Sequence, residues 1–181
     1  ALTGRAEASS TIRVYNSNNV LLGTGVTNSD GQYTITMSPP PTKGSTLTLQ
    51  VVDIAGNSNT GQFAYGLEAP PMKLVSDTGQ LINDEVTQNG TIKVTKDATS
   101  AGWEYSLDGG ATWNTGSGDS FVVPEGVYAD GKVLAQEINA SGLAGLVSNF
   151  GPITVDQTVP VAASINLATV IYVGGTQSLV S

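Results

Sequence analysis

Leu47-Thr48-Leu49-Gln50-Val51-Val52-Asp53-Ile54-Ala55-Gly56-Asn57 holds both signals that decide the fold. Its first half alternates apolar and polar residues with period two, as in a half-buried antiparallel strand. Its second half has turn chemistry, since Asp and Asn bond their own backbone and Gly accepts positive φ. The alternation recurs outward from there. Ile12 and Val14 alternate with Thr11, Arg13 and Tyr15, and Tyr33, Ile35 and Met37 with Thr34 and Thr36. Ile92 and Val94 flank Lys93, and Trp103, Tyr105 and Leu107 alternate with Glu104 and Ser106. Turn clusters separate these runs at Asn16–Asn19, Asn28–Gly31, Pro39–Gly44, Asp108–Gly110 and Gly116–Asp119. No amphipathic helix is legible. Short strands at roughly 8–12-residue spacing predict β-sandwiches.

The opening stretch also has an internal partner. Asn139-Ala140-Ser141-Gly142-Leu143 resembles Asp53–Asn57 at an offset of 86 positions. Acid-and-proline junctions follow both, Glu68-Ala69-Pro70-Pro71 and Asp156-Gln157-Thr158-Val159-Pro160, with the acids 88 positions apart. Two landmarks at nearly one offset predict a tandem array. The expected units are 1–68, with its first strand missing, and 69–156. Residues 157–181 are expected to be a linker and the first strand of a third, truncated unit. Glu137 falls where the first unit has Val51, on the inward phase. It reads either as an edge position near a strand end or as a cation ligand at the junction.

Composition narrows the chemistry. The chain has 181 residues, no Cys, no His and a net charge of −8. Clustered Lys and Arg, which nucleic acids and anionic membranes require, are absent. Tetrahedral zinc is implausible without Cys or His, and disulfides are excluded. No apolar run approaches ~18 residues, so no membrane insertion is expected. Residues 1–30 lack the basic start and apolar centre of a signal peptide, and the abrupt beginning reads as that of a fragment. Acidic oxygen-rich chains suit hard cations, and calcium is the staple expected for small exported units without disulfides.

Several segments resemble the immunoglobulin-like repeats of giant type I-secreted adhesins of Gram-negative bacteria, the RTX-type biofilm-associated and non-fimbrial families. In the first unit they are Thr3–Glu7, Thr11–Tyr15, Leu22–Thr24, Ser29–Tyr33 and Asp53–Asn57. In the second they are Ser76–Gly79, Asn83-Asp84, Trp103–Trp113 and Val155–Pro160. The resemblance covers about residues 1–160 and departs at Glu68 and Asn139, where the repeats usually carry Asp. It implies tandem immunoglobulin-like sandwiches of the seven-strand Greek-key type, on an extracellular bacterial cell surface. It further implies a monomeric extender that becomes rigid with calcium and projects an adhesive domain for cell adhesion or biofilm formation. The partners implied are neighbouring domains of the same chain, with host-cell or biofilm surfaces reached through other domains.

Sandwich topology sorts the acids by end. Asp77 and Asp84 (first loop), Asp108 (third), Glu125 and Asp130 (fifth) fall at the trailing end of the second unit, where Asp156 departs. Asp97, Asp119, Glu137 and Asn139 fall at its leading end beside Glu68. Asp30 and Asp53 occupy the corresponding end of the first unit. Clustered carboxylates repel unless a cation sits between them, and calcium takes ~6–8 oxygens. The expected calcium ligands are Asp77, Asp84 and Asp156, followed by Asp53, Asp30 and Glu68. Asp108, Asp97 and Asp119 read as turn residues. The Asp-Gly pairs do not form an EF-hand loop.

Ser106–Trp113 matches the Asp-box pattern, which reads here as a hairpin-turn device. Without His or Cys the usual catalytic triads and dyads are excluded, and the acids lie in loops with no aromatic-lined groove expected. The chain is therefore read as not an enzyme. A carbohydrate- or receptor-binding module is the rival reading, since loops at sandwich ends bind ligands in many such folds.

Overall fold

The computed structural model describes residues 1–162, 170–173 and 176–179. It is all-β, with no helix among the described residues. Two hydrophobic cores form in succession along the chain, as expected of immunoglobulin-like sandwiches in tandem.

The first body contains β1 (Leu2–Arg5), β2 (Thr11–Asn16), β3 (Leu21–Val26), β4 (Gln32–Ile35), β5 (Thr46–Val52) and β6 (Ser58–Ala64). β1 pairs with β4, and a second sheet runs β3-β2-β5-β6. Period-two alternation decides which residues enter. In β2, Ile12 and Val14 are fully buried while Thr11 and Arg13 are only half-buried. In β4, Tyr33 and Ile35 are buried and Gln32 and Thr34 exposed. Leu22, Met37 and Leu47 complete this core. Register is pinned by Val14 opposite Leu49 and Ile12 opposite Val51.

The second body has shorter strands: β7 (Met72–Leu74), β8 (Val86–Thr87), β9 (Thr91–Val94), β10 (Gly102–Ser106) and β11 (Asn114–Thr115). They continue with β12 (Ser120–Val122), β13 (Gly126–Tyr128), β14 (Leu134–Ile138), β15 (Ala144–Asn149) and β16 (Ile153–Val155). The sheets run β11-β10-β14-β15, β12-β9-β7 and β13-β16-β8. Breaks at turns divide the second body into more segments than seven continuous strands. Its core gathers Ile92, Val94, Phe121, Val123, Val133, Ile153 and Val155 around Trp103.

One expectation needs correction. β14 is an inner strand, so Glu137 does not sit at a sheet edge; it is 2% exposed and lies opposite Trp103. Beyond Thr158, where a linker and the first strand of a third unit are expected, β17 (Val170–Val173) and β18 (Thr176–Leu179) pair antiparallel, with Val170 opposite Leu179. Residues 163–169 of that stretch lie outside the described residues.

Candidate cation loop and interdomain seam

β7 leads away from Pro70-Pro71, with Met72 opposite Val94 and Leu74 opposite Ile92. Asp77 therefore lies at the end of the second body remote from the junction, and Asp97 returns to the junction. The loop between β7 and β8 is organised by Asp77. Its Oδ2 accepts hydrogen bonds from the backbone N–H groups of Asn83 (2.8 Å), Asp84 (3.2 Å) and Glu85 (3.3 Å). Such convergence needs an unusual backbone, and Asn83 and Glu85 adopt φ of 68° and 59°. Asn tolerates that region well, whereas Glu rarely enters it. The Asp84 carboxylate accepts from the Val86 N–H at 3.1 Å.

This loop leaves two buried carboxylate oxygens without partners, Asp77 Oδ1 and Glu85 Oε2. Burial pushes the Glu85 carboxyl pKa up, and the charges of Asp77 and Asp84 push it further. Buried polar atoms are ordinarily paired, and an unpaired carboxylate is among the most costly. The residues thus fit a hard cation in chemistry: two anionic oxygens are free, and Asp84 adds charge nearby. Calcium completes such a set with carbonyls and water. Among the described residues, no three carboxylates are gathered into a ready-made metal cage.

The loop is hydrogen-bonded to the departing strand. Thr154 N–H donates to Glu85 O at 2.9 Å, and Asp156 N–H donates to Thr87 O at 2.9 Å. β8 and β16 pair in parallel, with Val155 opposite Thr87. Asp156 itself accepts from the Thr158 N–H at 2.9 Å, and Thr158 Oγ1 donates to Glu125 at 2.7 Å. Its carboxylate caps the linker turn.

The remaining acids are turn builders or seam residues. Asp53 closes the β5–β6 turn, accepting from Asn57 N–H (2.8 Å) and Asn57 Nδ2 (2.7 Å). These bonds, the side-chain one first, hold its pKa below the ordinary aspartate value. Asp30 joins the β3–β4 turn through its backbone N–H, donated to Asn28 Oδ1 at 3.0 Å. Asp108 accepts from the Thr112 hydroxyl and N–H and from Ser106, all of which lower its pKa. That is the hairpin device expected of the Asp-box. Asp119 pairs with Lys93 at 3.2 Å on the surface.

Asp97 departs from its reading as a plain turn residue. It accepts from Thr99 within its own turn and also pairs with Lys43 of the first body. Its N–H donates to Glu137 Oε1 at 2.5 Å, while Glu137 Oε2 is buried and unpartnered. Glu68 lines the same cleft with Lys43, Asp97 and Glu137. Around it the two bodies exchange further bonds. Asn139 Nδ2 donates to Thr46 Oγ1 at 2.9 Å, and Thr46 Oγ1 bonds Ser141 Oγ at 2.9 Å. Leu146 N–H donates to Leu67 O at 3.0 Å. Gly145 permits this approach, since a Cβ there would stand 2.5 Å from Leu67 Cβ.

Sequence reasoning missed Glu85 and Lys43. The Asp84-Glu85 doublet beside Asn83 was a signal for the first. The scarcity of cations, 7 Lys and Arg in all, was a signal for the second.

Residues 1–64 match a family model described as "Bacterial Ig domain". Comparison with curated proteins finds no match. Among solved structures, the chain is similar to one titled "Biofilm associated protein - BSP domain", at 20% identity and a TM-score of 0.31. That alignment covers 87% of this chain, which spans 28% of the length of the matched one.

Proposed function

We propose that this chain is a spacer segment of a large bacterial adhesin on the cell surface, stiffened by calcium and mechanical rather than catalytic in its work. The observation that carries the reading is the loop from Asp77 to Glu85. It holds two unpartnered carboxylate oxygens and is hydrogen-bonded to the strand that leads out of the second body. A cation there ties the loop to the outgoing chain and removes a hinge, where adjacent domains otherwise move by default. The "Bacterial Ig domain" match over residues 1–64 supports the bacterial immunoglobulin-like assignment. So does the sequence resemblance to type I-secreted adhesin repeats.

Asp77 and Glu85 would hold the ion directly, with Asp84 beside them and Asp156 available from the linker. β5 begins at the seam with Thr46 and ends at Val52, which puts Asp53 at the first body's outer end. Asp30 shares that end, through the pairing of Thr11 with both Val26 and Val52. The two acids would serve a preceding module in the same way.

Melting with and without calcium tests the site. An ion bound only by the folded state adds RT ln(1 + [L]/Kd), about 2.7 kcal/mol at a hundredfold excess over Kd. Tm should rise with calcium in the parent, and Asp77→Ala and Asp84→Ala should blunt that rise. An equal rise in all three proteins would contradict the assignment.

A further inference from the structure

Within this one chain, equivalent positions carry different chemistry. In the first body the β5–β6 turn is closed by Asp53, through bonds to Asn57 N–H (2.8 Å) and from Asp53 N–H to Asn57 O (2.9 Å). In the second body Asn139 makes the same pair with Leu143, at 2.9 Å each. The change from carboxylate to amide is not needed by the turn, which both side chains close. It is used by the seam, because only the amide can donate to Thr46 Oγ1 of the first body.

A few residues away, carboxylates meet across the junction around an ammonium group. Lys43 Nζ bonds Asp97 Oδ2, and Asp97 in turn donates its N–H to Glu137. Glu137 is 2% exposed with one oxygen unpartnered, and Glu68 lines the same cleft. The Lys43 pKa is raised, first by the hydrogen bond to Asp97 and then by the charges of Asp97, Glu137 and Glu68. A lysine of one body thus pairs with Asp97 of the other, within the cleft that Glu137 and Glu68 also line. Thr99 O also stands 2.9 Å from where a Gly44 Cβ would be, so the Lys43-Gly44 turn is seated directly on the second body.

We propose that Lys43 is a built-in cation that closes this seam, so that the junction between the two bodies is rigid without any divalent metal. The proposal goes beyond calcium binding at the trailing loop and does not depend on it. An array built this way has two kinds of joint. One responds to calcium, and the other is held shut by the chain's own lysine and amide.

A spin-label distance across the seam tests this in the full chain. The parent has no Cys, so Ile54→Cys and Ser117→Cys, both exposed, give one defined label pair. The expected distribution is narrow and the same in calcium and in EDTA. Lys43→Met should lose that narrow distribution in EDTA, and Lys43→Arg, which keeps the charge, should retain it. A parent distribution that broadens in EDTA, or a Lys43→Met distribution as narrow as the parent's, would overturn the clamp. Circular dichroism of each variant separates opening of the seam from unfolding. The trailing loop is read separately by the calcium-dependent Tm, so failure of either idea is distinguishable from failure of the other.

Discussion

Glu85 carries the clearest electrostatic tension in the chain. Its raised pKa means that its charged form is disfavoured in the folded state. The penalty is absent below the ordinary glutamate pKa, grows as pH rises toward the raised folded value, and is complete above it. Bound calcium favours the ionised form and so removes the penalty. In EDTA, Glu85→Gln should therefore have a higher Tm than the parent at pH 7.5, with the gap closing near pH 4. In calcium the order should reverse, because the variant has lost an ionic ligand. Melting curves at the two pH values check this. A parent more stable than Glu85→Gln in EDTA at pH 7.5 would show that the carboxylate is paired. The depressed pKa values of Asp53, Asp97 and Asp108 act in the opposite sense, their stabilisation being lost as pH falls. The difference between parent and variant isolates Glu85. Sequence alone suggested Asp77 and Asp84, because acids in a glycine-containing loop are easy to see. Which member of the Asp84-Glu85 doublet turns inward depends on positive φ at Asn83 and Glu85, and nothing in composition fixes that.

At the scale of the strands, period-two alternation was enough to place the inward residues of β2, β4 and β9, because one face of each lies on a core. The repeated turn was legible too, since Gly56 and Gly142 both adopt positive φ, at 89° and 76°. Contacts between elements were less so. Trp103 packs at a tilt against the stacked rings of Tyr105 and Phe121, and its indole N–H donates to Gly118 O at 3.2 Å. The backbone of Gly116 runs directly against this ring, and a Cβ there would lie 2.1 Å from Trp103 Cε2. The ring is 1% exposed and cannot step aside. Gly116→Ala should therefore cost about 1–3 kcal/mol, the range for overpacking. Gly61 in β6 has nothing within 4 Å of its would-be Cβ. Gly61→Ala should be neutral or slightly stabilising, because it restricts the unfolded chain. Urea unfolding of both variants measures the contrast, and equal effects would mean that the packing over Gly116 is loose. A glycine in a turn cluster signals a bend in the sequence, but not the aromatic ring that lies on it.

For the molecule as a whole, the tandem array was readable because two landmarks recur at nearly one offset. The seam was not, because it joins Lys43 to Asp97 and Thr46 to Asn139 across long stretches of chain. Charge placement explains why the two ends of the second body differ. At the leading end Lys43 pairs with Asp97, so a cation of the chain itself stands among the acids, with Glu137 Oε2 left buried without a partner. At the trailing end Asp77 and Glu85 retain oxygens without partners, and that end is proposed to need an ion. Calcium should then act on the trailing end and on the chain leading out of it, leaving the seam unchanged. Small-angle scattering of the chain with saturating calcium and with EDTA reads whether the ion stiffens it. The expected pair-distance distribution is longer and narrower with calcium and bent or broadened in EDTA. Superimposable curves in the two conditions would contradict that stiffening.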